Sequence, residues 1–359
     1  MAMHIEELLK DKTEQIDYAG VIRRYPWIVE EGHSCILSPD SDGFLCGLLM
    51  AKYKHWKVVG FYDDKVSVIK RSSLREDPIF LDGEIFRPGI RSVGHHMLLL
   101  NKRQKPDRFD RGFVNCIQPN LFRNYDGKHD FRLKYPLATI HLLASILAFE
   151  KKGAVKISHR AIPPLFFTDG VFNVLFKYPE NVLNWLHYLR VDEDWNPLKN
   201  VFESDKYTVF TLMKEMQEFF RRRDEIDRKA GKLEKGERGD KLRLSDGDGA
   251  PKNIDGITTG CCNLKLGAKA RAIEFIGIIG EMTGWDYVQS DWDCWSDLQY
   301  FKFTKGSFKD AGRTLTGEHF LSFIKQNPLS WAQTSGENIE FTLETPSRLP
   351  FDLYKRKKK

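Results

Sequence analysis

Four short apolar runs in the first half of the chain each give way to acidic or imidazole side chains, and this recurrence limits the folds open to it. Residues 35–37 lead into Ser38-Pro39-Asp40-Ser41-Asp42-Gly43, and residues 78–81 lead into Asp82-Gly83. His95-His96 follow Ser92-Val93-Gly94, and Thr168-Asp169-Gly170 follow Leu165-Phe166-Phe167. Runs of this length, closed by Gly, Pro and Asp, read as strands. The spacing predicts a helix over 44–53 and further strands over 56–61 and 65–69. Strand, polar turn, helix and strand in that order predict an α/β fold with a parallel sheet flanked by helices. In an open parallel sheet, ligands gather at the carboxyl ends of the strands. Asp40, Asp42, Asp82, His95, His96 and Asp169 are therefore expected along one rim.

Downstream, helices are expected over 135–151, 179–189 and 207–223. In the last of these, Phe210, Met213, Met216, Phe219 and Phe220 form one apolar face. Residues 231–256 are rich in Gly, Asp and Lys and read as a mobile connection. Residues 272–279, 285–288 and 339–343 suggest strands or short helices of a second, smaller α+β unit. The length of 359 residues suits two domains. The expected division is a first domain over 1–200, a helix and linker over 201–256, and a capping, substrate-binding domain over 257–359.

Composition excludes several classes. With 41% hydrophobic and 30% charged residues the chain is neither disordered nor fibrous. A net charge of +6 permits a phosphate-bearing partner without demanding one. No run approaches the roughly 20 apolar residues of a membrane span, and the first residues lack a signal-peptide core. The six cysteines form no C-x-x-C pair, which removes a zinc ribbon. A cytoplasmic protein with reduced thiols is expected; no protein partner is indicated. Arg221-Arg222-Arg223, Arg228, Lys229, Lys232 and Lys235 invite a nucleic-acid reading. Interleaved acids make a solvated, ion-paired helix the stronger expectation. Trp285, Trp292 and Trp295 could stack bases, but core packing is favoured.

Carboxylates and imidazoles converging on one rim suit Mn²⁺ or a related ion, which takes O and N ligands. Two such ions can hold a phosphoryl group between them. Arg87 and Arg91, between the second and third motifs, are candidates to clamp a phosphate bidentately.

The ordered set of Ser38–Gly43, Phe80-Leu81-Asp82, Gly94-His95-His96 and Thr168-Asp169-Gly170 resembles the DHH phosphoesterase superfamily. That superfamily includes RecJ-type exonucleases, nanoRNases and family II pyrophosphatases. The resemblance spans residues 34–190. It implies hydrolysis of a phosphodiester or phosphoanhydride bond in nucleic acid, an oligonucleotide or a nucleotide. It also implies Mn²⁺ (or Mg²⁺ or Co²⁺), two ions in all. Asp40 and Asp42 would each bind one ion, Asp82 would bridge them, and His95 and Asp169 would complete the coordination of the second ion. His96 would face the substrate phosphate, with Asp82, His95 and His96 the catalytic set. Two positions depart from the pattern. Gly94 stands where the triplet begins with Asp, and Ser38 stands where an upstream ligand for the first ion is usual. They leave open a catalytically degenerate relative that binds nucleotide or nucleic acid in a regulatory or assembly role.

Overall fold

The computed structural model describes residues 4–351 apart from 206, 232–238, 259, 310–316 and 345–347. Lys232, Lys235 and the mobile character expected of residues 232–238 thus lie outside the described residues. The strands are β1 (Ser34–Leu37), β2 (Lys57–Tyr62), β3 (Val66–Lys70), β4 (Ile79–Leu81), β5 (Ser92–Val93), β6 (Cys116–Ile117), β7 (Ile254–Thr258), β8 (Cys261–Leu264), β9 (Leu298–Lys302), β10 (Thr304–Lys309), β11 (Ser330–Gln333) and β12 (Asn338–Leu343). Nine of them form one sheet in the order β6-β5-β4-β1-β2-β3-β9-β8-β7. In β1 to β4 nearly every residue is buried, as expected where both faces of a sheet are covered.

The expected parallel sheet is half of what forms. Strands β6, β5, β4, β1 and β2 run parallel. From β2 onward the pairing is antiparallel, through β3, β9, β8 and β7. The reversal begins at the Asp63-Asp64-Lys65 turn, too short for a crossover helix, so β3 can only fold back on β2. β7, β8 and β9 come from beyond residue 250, so this part of the C-terminal third extends the first sheet. β10, β12 and β11 form a separate antiparallel sheet covered by the helix Gly317–Lys325, whose Phe320 and Phe323 are buried with Trp331.

Helices Ser41–Lys54, Thr139–Glu150 and Leu266–Thr283 pack into the largest core with β1 and β2. The last runs continuously where short elements over 272–279 were expected, and 285–288 forms no strand. Trp285, Trp292 and Trp295 are core residues, not a base-stacking platform. Helix Val209–Lys229 buries Phe219 but leaves Phe210 and Met213 66% and 63% exposed, so its expected apolar face is only partly covered. Its basic run is paired: Arg221 with Glu218 and Glu225, Arg222 with Glu281, Lys229 with Glu274. No helix of the described residues is long and apolar enough to cross a membrane.

One register feature positions everything that follows. Leu37 pairs with Leu81, Leu81 with Val93, and Val93 with Ile117. The parallel strands therefore end level, and the residues after each end emerge side by side. Leu37 is fully buried in this row. Leu37→Ala should cost about 2–5 kcal/mol of unfolding free energy. Phe210→Ser, on the exposed helix face, should stay within about 0.5 kcal/mol; urea denaturation of both variants checks the contrast.

Candidate metal centre

The turn after β1 begins helix Ser41–Lys54. Asp40 is its N-cap, with the side chain accepting the Gly43 N–H at 3.4 Å. A side chain at Gly43 would strike the Ser38 carbonyl, which explains the glycine in the Asp-x-Asp-Gly string. Asp42, in the first turn, points inward and is fully buried. Its carboxylate lands on the N-terminus of a second helix: Thr139 N–H donates to Oδ2 at 2.7 Å and Ile140 N–H to Oδ1 at 3.0 Å. Two unsatisfied helix N–H groups and the dipole behind them favour an anion there.

Asp82 follows β4 with φ of 57°, and Asp169 has φ of 50° in the turn after helix Ile162–Phe167. The left-handed region costs most residues about 1–2 kcal/mol and is best tolerated by Asn, Asp and Gly. Two such residues meeting at one point is the kind of stored backbone strain that collects at functional sites. The apolar run before Asp169 is helical, not a strand, so this ligand approaches the rim from the helical layer.

One ligand atom from each of Asp42, Asp82, His95 and Asp169 lies within 4.8 Å of the others, an arrangement that could hold a metal ion. His95 Nδ1 is 3.4 Å from Asp82 Oδ1 and 3.7 Å from Asp42 Oδ2, while its Nε2 is 3.7 Å from Asp169 Oδ2. Thr139 organises the group. Its hydroxyl donates to Asp82 Oδ1 at 2.8 Å and stands 2.9 Å from His95 Nδ1. With its one proton given to Asp82, the hydroxyl accepts from Nδ1–H. In a neutral ring, the form that a metal ion would bind, this leaves the Nε2 lone pair towards Asp169.

His96 stacks on His95 with ring centroids 4.4 Å apart and remains half-exposed. Glu84, buried two residues beyond Asp82, accepts the His96 N–H at 2.7 Å and lies 3.1 Å from its Nδ1. The Glu84 carboxylate fills the space beside Gly94, where any side chain would collide with it. Backbone oxygens of the pair are also held: Asn120 donates to His95 O and Gln118 to His96 O.

Burial and the neighbouring charges of Asp82 and Asp169 push Asp40 up to about 7 and Asp42 well above the usual carboxylate range. Asp169 is raised as well, chiefly by burial. Asp82 goes the other way: burial opposes its ionisation, but the hydrogen bond and charge of His95 hold it below the ordinary value. Burial disfavours charge on His96, yet the nearby Glu84 raises it to about 10. Carboxylates kept apart in this way from their ordinary values form a site short of positive charge.

Three expectations change. Asp40 is not part of the four-residue group; its Oδ2 lies 4.0 Å from Lys241 Nζ. Arg87 cannot clamp a phosphate, because it is buried, pairs with Glu344 at 3.0 Å and donates to the carbonyls of Pro328 and Asn327. It braces β4 against the turn before β11. Arg91 donates to the Asp77 carbonyl at 2.5 Å and lines no cavity at the centre. Neither lies in a strand: Arg87 is in the loop that follows β4, and Arg91 immediately precedes β5.

The centre opens on two cavities, each lined by His96 and Asp169. One, of about 420 Å³, lies under the small sheet and is lined by Lys65, Lys241, Arg243 and Lys305. The other, of about 1050 Å³, is lined by Phe131, Lys134, Tyr135 and Tyr178. Residues absent from the sequence expectation are Thr139, Glu84 and the segment carrying Lys241. A threonine opening a strongly apolar helix, and a second acid two places after Asp82, were the signals for the first two.

No protein-family model, curated protein or solved structure matches the chain.

Asp40 gives a direct test of these electrostatics. Its proton is held more tightly folded than unfolded, so its ionisation destabilises the metal-free protein as pH rises from about 4 through 7. Asp40→Asn keeps the helix cap and removes the charge. The variant should melt above wild type at pH 8 in chelator, and the advantage should shrink as pH falls through that window.

Proposed function

We propose that the chain is a metal-dependent phosphoesterase acting on a nucleic-acid end, an oligonucleotide or a nucleotide. The observation that carries this reading is the convergence of Asp42, Asp82, His95 and Asp169 within 4.8 Å at the level ends of parallel strands. The four ligands are hard oxygens and one imidazole, the donor set suited to Mn²⁺, Mg²⁺ or Co²⁺. When bound, such an ion polarises a phosphoryl oxygen and acidifies coordinated water. The chain's own residues do the rest. Asp42 is fixed by two helix N–H groups, Thr139 fixes the tautomer of His95, and Glu84 aims His96 at the cavity beside the ions' seat. A protonated His96 there is placed to neutralise charge developing on a phosphate.

The order of the four motifs supports the same reading through its likeness to the DHH phosphoesterases. The Gly94 departure is met by Glu84, whose carboxylate occupies the room that the glycine leaves. The cavities on either side of the centre give an ester space for a group on each side, which suits a nucleotide chain. A second reading, a degenerate relative that binds nucleotide or nucleic acid without cleaving it, draws on one observation. Asp40 stands outside the ligand group beside Lys241, so the seat for a second ion is incomplete.

Purified protein incubated with Mn²⁺ and a panel of single-stranded DNA, short RNA, cyclic dinucleotides and pyrophosphate separates the two readings. Asp82→Asn and His95→Ala should each abolish metal-stimulated cleavage, with an unchanged far-ultraviolet spectrum; full activity in both variants would refute the enzyme. Thr139→Ala should weaken Mn²⁺ binding by about 10–100-fold in titration calorimetry, as for residues that orient ligands. Thr139→Ser should restore most of it.

A further inference from the structure

Residues 239–253 were expected to belong to a loose connection, yet they are strapped across the centre. Leu242 N–H donates to the Pro39 carbonyl at 2.8 Å, next to Asp40. Leu242 and Leu244 are buried, and Lys252 N–H closes onto Leu244 O at 2.8 Å. Asn253 Nδ2 donates to Arg243 O, and Ser245 Oγ donates to Asp63 Oδ2, each at 2.8 Å. The strap is thus pinned both to the turn after β1 and to the turn after β2. Leucines at 242 and 244 face the protein, and the alternate residues Lys241 and Arg243 line the 420 Å³ cavity together with Asp40, Asp82, His96 and Asp169.

Four lysine and arginine side chains line that cavity, and two are already committed. Lys65 donates to the Asp246 carbonyl at 2.5 Å. Lys305 pairs with Asp64 at 3.2 Å and Glu340 at 2.6 Å. Lys241 reaches Asp40 only at 4.0 Å and is half-exposed. The half-buried Arg243 guanidinium has no hydrogen bond or ion pair among the described residues. A guanidinium held inward without a partner forfeits hydration and gains nothing in return unless an anion enters. Its planar fork matches phosphate oxygens two at a time, and a neighbouring ammonium adds a point charge.

We infer that Lys241 and Arg243 bind a second phosphate of the substrate, the one adjoining the phosphate at the metal centre. This deepens the function proposed above and rests on it. The substrate class is then one carrying at least two neighbouring phosphates, rather than a lone phosphomonoester or an isolated diester. An oligonucleotide chain and a pyrophosphate linkage share that chemistry.

The double variant Lys241→Gln/Arg243→Gln tests this in the full-length protein. Binding is read by anisotropy of fluorescein-labelled pentathymidylate, with Ca²⁺ in place of Mn²⁺. The variant should bind about tenfold or more weakly, and its slope of log affinity against log salt should fall by about one. Displacement of the probe by unlabelled pentathymidylate but not by pyrophosphate points to the nucleotide chain, and displacement by both points to a site that also takes the anhydride; either supports the clamp. Equal affinity of variant and wild type would overturn it, as would a wild type that binds neither probe. In Mn²⁺, the variant should lose at least about tenfold more kcat/KM on pentathymidylate than on bis(p-nitrophenyl) phosphate, mainly through KM. An equal loss on both substrates also overturns the clamp. Calorimetric uptake of Mn²⁺ by the wild type, read separately, decides the metal centre. If it fails while the anisotropy contrast holds, the proposed hydrolysis falls and the phosphate clamp stands.

Discussion

A buried carboxylate set on the first turn of a helix is the interaction on which the rest of this molecule turns. Asp42 leaves one helix and caps another, so the N–H groups of Thr139 and Ile140 fix the position of helix Thr139–Glu150 relative to β1. Without those two donors, a fully buried aspartate would be unaffordable. With them, its oxygens keep lone pairs directed at the ligand row. Thr139 then extends the same anchor through its hydroxyl to Asp82 and His95. A single helix terminus orders three of the four groups that converge.

The level strand ends provide the second constraint. Because Leu37, Leu81, Val93 and Ile117 stand in one row, residues separated by tens of positions leave the sheet as neighbours. This is the general reason that sites of open α/β sheets lie beyond the carboxyl ends of strands. The antiparallel half plays a different part. It carries the turn with Asp63 and Asp64, which secures the strap, and it brings the small sheet over one side of the centre.

Much of this was legible in the sequence, and the parts that were not have specific causes. Asp42, Asp82, His95 and Asp169 could be read as one site because each closes an apolar run, a local signal. The parallel half of the sheet followed from the strand–turn–helix order. The antiparallel half did not, because β7 to β9 join β3 across more than 180 residues and leave no local trace of that pairing. Arg87 and Arg91 looked like phosphate ligands from their position between motifs. A loop between two strands can turn its side chains either way, and here Arg87 went to Glu344. Residues 239–253 looked like a linker because Gly and Asp dominate them, yet two leucines suffice to seat the strap. Glu84 left only the faint signal of a second acid after Asp82, because its role depends on the space left by a glycine ten residues later.

The left-handed backbone at Asp82 and Asp169 has a consequence for how this centre could be lost over time. Asparagine matches aspartate in shape and tolerates that conformation almost as well. A drift from acid to amide at either position would erase the negative charge while the main chain kept its course. Lineages that abandon the chemistry would therefore pass through forms with an intact architecture, and only their affinity for cations would betray the change.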